Sequence, residues 1–190
     1  MELIFIRHGQ GEHTTHLPQS LHTSDPDLTE EGIQQASMLR KKFPLSEQDL
    51  IVISPLRRTL QTATIWTQGV NCHKVVSPFV SPRMFPQNPE WQTLPCDQLL
   101  EMNQIKTDFP DFHIDNPLPY VWRQGINTLP EEEFASLAER FLEWCEEQQK
   151  ERIYIVTHDG TMTSYRQFIS GAKLSRDDFP GETGWIKVQF

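Results

Sequence analysis

An α/β fold with a mostly parallel sheet, flanked by helices on both faces, is predicted by three features of the sequence. Unbroken apolar runs recur at Leu3–Ile6, Leu50–Ile53 and Ile153–Val156, the pattern of strands buried on both faces. Stretches with helical spacing of apolar residues lie between them, and strands that alternate with helices imply parallel pairing. Each run also ends in a polar loop that carries basic side chains: Arg7 and His8, Arg58, and His158.

With 190 residues, 37% of them hydrophobic and 23% charged, the chain can bury a sizeable core and reads as one domain over 1–190. A net charge of −9 argues against a broad nucleic-acid footprint, yet it permits a small anion bound by locally concentrated cations. No apolar run approaches the length of a membrane span. The first strand begins at Glu2 or Leu3, so no leader is expected. Cys72, Cys96 and Cys145 lack metal-ligand spacing and read as reduced thiols of a cytoplasmic protein. Oligomeric state is left open.

In chain order, Asp25-Pro26-Asp27 closes the loop after the first strand. Thr29 is placed to cap a helix that carries Glu30 and Glu31 in its first turn. Ile33, Ala36, Leu39 and Phe43 recur along it, Gly32 weakens it slightly, and Pro44 stops it. The second apolar run leads through Ser54-Pro55-Leu56 into a helix over about 58–69, with Gly69 as its C′ residue. A further strand is expected over 74–80.

Residues 81–130 change character: eight of the fourteen prolines fall there, among Phe85, Trp91, Phe109, Phe112, Tyr120 and Trp122. Such proline density rules out a long helix or a central strand, and polar spacers lack such aromatics. The segment therefore reads as a folded insertion over the strand ends, with a short helix near 97–106. Its aromatics either roof the site or form a satellite core. Thr128 and Glu131 make a capping-box pattern for an amphipathic helix that runs to about Gln148. The third apolar run leads into Thr157-His158-Asp159-Gly160 and a helix over 161–170 that stops at Gly171. Trp185–Phe190 alternates, as an edge strand does.

Parallel strands that are neighbours present their carboxyl ends together, and ligands of open α/β sheets bind there. Two guanidinium groups and two imidazoles in one crevice would repel one another unless they receive an anion. Phosphate is the first candidate, since arginine forks match its oxygens.

The segments Arg7-His8-Gly9-Gln10, Leu28-Thr29-Glu30-x-Gly32-x-x-Gln35-Ala36, Ser54-Pro55-Leu56-x-Arg58-x-x-Gln61-Thr62-Ala63 and Thr157-His158-x-Gly160 together resemble, in order, the motifs of the histidine phosphatase superfamily, phosphoglycerate-mutase-like branch. The resemblance implies a mostly parallel sheet flanked by helices and a phosphatase acting on small phosphorylated substrates. It implies His8 as a nucleophile that becomes phosphohistidine, with Arg7, Arg58 and His158 holding the phosphoryl oxygens. The chemistry suits these residue types: an imidazole with a free nitrogen attacks phosphorus, and fixed cations stabilise the charge. No metal or other cofactor is required, because arginines take the role of Mg²⁺.

Three positions depart from the family pattern. Thr14 stands where an Asn is usual, though it can still donate a hydrogen bond. Asp159 follows His158 where Gly is common. The stretch Phe79–Phe85, where the family often carries a Leu-x-Glu general acid, has no carboxylate. Asp97 is the first choice for that proton donor, with Glu90, Glu101 and Asp159 as alternatives; Asp97 also suits a helix N-cap. Gly9, Gln10, Thr14 and Arg83 complete the expected phosphate- and substrate-binding set. His13, His16 and His22 lack carboxylates at chelating spacing and read as a solvated loop. A phosphoglycerate-mutase-type phosphotransferase and a catalytically inactive phospho-ligand binder are the alternatives to hydrolysis. A length of 190 residues favours the phosphatase over the mutase.

Overall fold

Strand side chains alternate between the two faces of a sheet, so an unbroken apolar run needs a hydrophobic layer on each side. The computed structural model describes residues 1–115 and 118–190 and supplies both layers. Its sheet comprises β1 (Glu2–Arg7), β2 (Leu50–Ile53), β3 (His73–Val76), β4 (His113–Ile114), β5 (Arg152–Thr157) and β6 (Trp185–Gln189). Leu3, Phe5, Leu50 and Val52 face one apolar cluster, while Ile4, Ile6, Ile51 and Ile53 face the other. The first cluster is closed by Phe134, Leu137 and Phe141 of α5 (Glu131–Glu147) and by Met162 and Tyr165 of α6 (Asp159–Ser170). The second is closed by Leu39 of α1 (Glu30–Lys42) and by Leu60, Ala63 and Trp66 of α2 (Arg57–Trp66). Helices thus cover both faces, as the expected fold class requires. Among the described residues no helix is long and apolar enough to cross a membrane.

The strand order β4-β3-β2-β5-β1-β6 positions everything that follows. After β1 the chain runs outward through β2, β3 and β4, then returns as β5 between β2 and β1, pairing with both in parallel. Among the described residues only β6 joins the sheet antiparallel, on the outer edge of β1. The carboxyl ends of β1, β5 and β2 are therefore adjacent.

Several local expectations are corrected. The α2 helix ends at Trp66 with Thr67 as its cap, and Gly69 sits beyond it in a turn closed by the Val70 N–H to the Thr67 carbonyl, so Gly69 is not its C′ residue. The β3 strand stops at Val76, because Pro78 cannot continue a ladder, and residues 78–80 form a 3₁₀ turn. The expected helix near 97–106 divides into a 3₁₀ turn at Pro95–Asp97 and α3 (Met102–Asp108), so Asp97 is not a helix N-cap. The segment over 81–130 also forms α4 (Pro119–Gln124) and lends the sheet β4, a two-residue edge strand; one of its prolines, Pro117, lies outside the described residues. The capping box at Thr128 does not form. Helix α5 starts directly after Pro130, which puts Glu131 in its first position, and that carboxylate pairs with Arg83 at 3.2 Å.

Other elements match. Thr29 caps α1 by accepting from the Gly32 N–H at 3.1 Å, and Gly171 ends α6 in the left-handed conformation at φ 67°. Gly32 has a purpose that helix propensity cannot reveal. A methyl group there would overlap the Gln10 carbonyl oxygen, and one on Gly9 would overlap the Gly32 carbonyl oxygen. The two glycines let the loop after β1 lie directly against the start of α1. Helix propensity predicts that Gly32→Ala stabilises by roughly 1 kcal/mol. The collision predicts the reverse, a loss of about 1–3 kcal/mol in urea unfolding. A gain in stability would refute this account of the contact.

Candidate active site

The ladders that join β1, β5 and β2 continue one residue past the strand ends. The His8 N–H donates to the Thr157 carbonyl at 3.1 Å, and the Ser54 N–H donates to the Val156 carbonyl at 3.0 Å. His8, Ser54 and His158 therefore leave three neighbouring strands at one level. The first turn of α2 delivers Arg58 to the same place, and all four residues are buried.

Hydrogen bonding assigns the imidazole tautomers. His8 Nδ1 lies 2.6 Å from the Gly9 carbonyl oxygen, which can only accept, so Nδ1 carries the proton. Its Nε2 accepts from Arg58 Nε at 3.2 Å and so presents a lone pair. His158 Nδ1 faces Arg58 Nη2 at 3.3 Å, and its Nε2 donates to Ser54 Oγ at 2.8 Å. Burial, then the Arg58 charge, holds both imidazoles well below the usual histidine range.

Arg58 also donates from Nη1 to the Cys96 carbonyl at 2.6 Å and from Nη2 to Asp97 Oδ1 at 2.7 Å. Arg7 pairs with Asp159 at 3.0 Å and donates to the Pro180 carbonyl at 2.8 Å. Each guanidinium thus has one carboxylate partner, so the expected cation cluster is not left to repel itself. Thr62 Oγ1 accepts from the Gly9 N–H at 3.1 Å and ties the loop after β1 to α2.

Arg7, His8, Arg58, Asp97, His158 and Asp159 line a single cavity of about 690 Å³. Its outer wall is apolar, with Leu17, Leu21, Met84, Phe85, Trp91, Leu94 and Phe179, and Arg176 lies at its edge. Phe85, Trp91 and Leu94 come from the proline-rich segment over 81–130. Thr14 and Glu90 also line the cavity, whereas Glu101 does not. Among the described residues no group of three or more His, Cys, Asp or Glu side chains could hold a metal ion.

Three expected binding residues stand elsewhere. Arg83 is buried outside the cavity lining, where it donates to the Ile126 and Leu129 carbonyls at 3.0 and 2.9 Å and lies 4.0 Å above the Phe134 ring. Arg83 Cα belongs to a segment tight against α6, since a methyl group on Gly160 would overlap its carbonyl oxygen. Gln10 accepts from Thr29 Oγ1 at 2.8 Å and locks the loop to α1, and Gly9 provides backbone alone. His13 departs from the solvated-loop expectation: it is buried and lines the cavity, while His16 and His22 are exposed. Burial, then Arg58 and Arg7, pushes its pKa down to about 3. Sequence reasoning also passed over Ser54 and Thr62. Their positions, directly after β2 and one turn beyond Arg58, and their place in the Ser54–Ala63 segment that resembles the family could have signalled them.

The three buried histidines make stability depend on pH. Each folded pKa lies below the unfolded value of 6.5, so the unfolded chain binds more protons at acid pH. The stability they contribute is fully present above that value and is lost as pH falls toward the folded values. The slope is roughly 1.4 kcal/mol per pH unit for each histidine. Urea unfolding at pH 7.5 and at a pH about two units lower should show a lower midpoint in acid. An unchanged midpoint would contradict the buried neutral state.

Comparison with known proteins places the chain in context. A family model described as histidine phosphatase superfamily (branch 1) matches residues 3–184. The phosphoglycerate mutase-like protein 1 of Arabidopsis thaliana is 26% identical over 192 residues, covering 83% of this chain and 68% of the relative. Among solved structures, the alpha-ribazole phosphatase of Shigella flexneri superposes with a TM-score of 0.60 at 21% identity, covering 100% of this chain and 90% of the other. A phosphoserine phosphatase of Entamoeba histolytica, in complex with 3-phosphoglyceric acid, superposes with a TM-score of 0.62 at 21% identity, covering 98% and 89%.

Proposed function

The chain belongs to the histidine phosphatase superfamily, branch 1, and from that premise we propose that it is a metal-independent phosphomonoester hydrolase working through phosphohistidine on His8. The observation that carries this reading is the fixed tautomer of His8. Its Nδ1–H is held on the Gly9 carbonyl, which leaves Nε2 unprotonated; its lone pair rests on Arg58 Nε, and release of that contact frees it to attack a phosphoryl group in the cavity that Arg58, Arg7 and His158 line. In the first step Nε2 attacks phosphorus and the ester P–O bond breaks. Asp97, which takes up a proton from solvent as the entering dianion displaces it from Arg58, gives that proton to the departing oxygen. In the second step water attacks the phosphohistidine and returns a proton to Asp97, the P–N bond to His8 Nε2 breaks, and inorganic phosphate is released.

Arg7, Arg58 and His158 stabilise charge on the phosphoryl oxygens in both steps. The dianion offsets the burial and the Arg58 charge that keep His158 neutral, so the bound ester draws a proton onto that ring. Asp97 is preferred among the carboxyl candidates because it lines the cavity beside Arg58 with Oδ2 uncommitted. Asp159 is engaged with Arg7, Glu90 is exposed on the wall, and Glu101 lies outside the cavity. The Arg58–Asp97 ion pair also favours one rival, a phospho-ligand binder, because an ionised carboxylate has no proton to give.

Rapid quench with a labelled phosphomonoester separates the readings. Acid-labile label on His8, followed by release of phosphate, is the expected result; His8→Ala should abolish both. Absence of label in the wild type would exclude hydrolysis and transfer alike, and label passed to an acceptor in place of water would indicate a mutase. Arg58→Ala should lower turnover by about 10²–10³-fold. Asp97→Asn should slow alkyl phosphates far more than aryl phosphates, whose leaving oxygen needs little protonation.

The apolar wall of Leu17, Phe85, Trp91 and Phe179 further suits leaving groups bulkier than glycerate. Aryl phosphates should therefore exceed glycerol phosphates in kcat/KM, and equal efficiency on both would count against this specificity.

A further inference from the structure

The loop after β1 places a third imidazole in the cavity, one that no role described so far uses. Residues 12–14 form a 3₁₀ turn that swings the His13 ring inward, to 5.6 Å from the His8 ring between centroids. The His158 ring lies at a closely similar 5.2 Å. The placement is built rather than incidental. Gly11 is held by its bridge to Leu28, and a methyl group on it would stand 2.6 Å from His13 Nδ1 and 3.4 Å from Arg58 Cδ. Ser20 Oγ donates to the His13 carbonyl at 2.8 Å and secures the backbone.

Within this pocket Nδ1 is buried without a hydrogen-bond partner. A buried N–H with no acceptor is unfavourable, so the neutral ring carries its proton on Nε2, the nitrogen left to meet the cavity. The charges acting most strongly on the ring are the Arg58 and Arg7 guanidinium groups, and His8 is its neighbour. Nothing in that set is an anion. Thr14, the residue expected to donate to phosphate, has its hydroxyl proton committed to the Gly11 carbonyl at 2.9 Å.

We propose that His13 supplies the hydrogen bond Thr14 cannot, donating from Nε2 to a non-bridging oxygen of the phosphoryl group held beside His8, Arg7 and Arg58. This inference rests on the reading of the cavity as a phosphoryl site, and it adds to Arg7, Arg58 and His158 a fourth donor from the nucleophile's own loop. A residue kept for this purpose sacrifices stability, because its buried Nδ1 is unpaired.

Calorimetric titration with inorganic phosphate, combined with urea unfolding, tests it on the wild type, His13→Phe and His13→Gln. The expected result is that His13→Phe binds phosphate about 10- to 100-fold more weakly while unfolding at the same or a higher urea concentration. His13→Gln, whose amide nitrogen can stand where Nε2 stood, should recover most of the affinity. Wild-type affinity in His13→Phe would overturn the proposal, and so would affinity and stability falling together in both variants, the mark of a packing residue. Failure of the wild type to bind phosphate would instead remove the underlying reading of the cavity, and the proposal with it.

Discussion

Carrying a guanidinium into a protein interior is tolerable only when its nitrogens find acceptors, and Arg58 satisfies all three of them by drawing on three distant segments. The loop after β1 contributes His8 Nε2, the turn at Pro95–Asp97 contributes the Cys96 carbonyl and the Asp97 carboxylate, and the end of β5 contributes His158 Nδ1. The charge that would hold phosphate is also the charge that binds these segments to one another. Loss of Arg58 would leave His8 without the partner that orients its lone pair and Asp97 without its counter-ion. Geometry and chemistry in this site are therefore inseparable.

Pairing of both arginines with aspartates gives the cavity floor a balanced charge without an anion. Asp159 stands where the family commonly has glycine, and its carboxylate occupies Arg7. Any phosphoryl group entering must share Arg7 and Arg58 with these carboxylates, and its affinity reflects that competition. The same arrangement lets a chain of net charge −9 bury guanidinium groups at one point without leaving their charge uncompensated.

Legibility in the sequence followed the range of the interactions involved. The apolar runs of β1, β2 and β5 announce strands buried on both faces, and the Thr29 cap is local, so these could be read directly. Arg7, His8, Arg58 and His158 could be brought together because three strands sharing one direction leave few places for their ends. Gly32 looked like a mild defect because its value lies in contact with Gln10, far away along the chain. Arg83 looked like a ligand residue because a cation after a strand resembles its neighbours in the site. Only packing shows it turned toward the Ile126 and Leu129 carbonyls. His13 was hidden by a polar loop whose inward turn depends on Gly11 and Leu28.

The return of β5 to the centre of the sheet carries a consequence for how the molecule comes into being. The strand that separates β1 from β2 is the fifth of six in the chain, so the middle of the sheet stays open until Arg152–Thr157 is in place. Its contacts join residues from opposite ends of the polypeptide, the high-contact-order topology that slows folding and prevents completion on a partial chain. Until then His8 lacks the Thr157 carbonyl and Arg58 lacks His158. A nascent chain on the ribosome would carry His8 long before Arg152–Thr157, and it would hold no organised pocket until that later strand is in place.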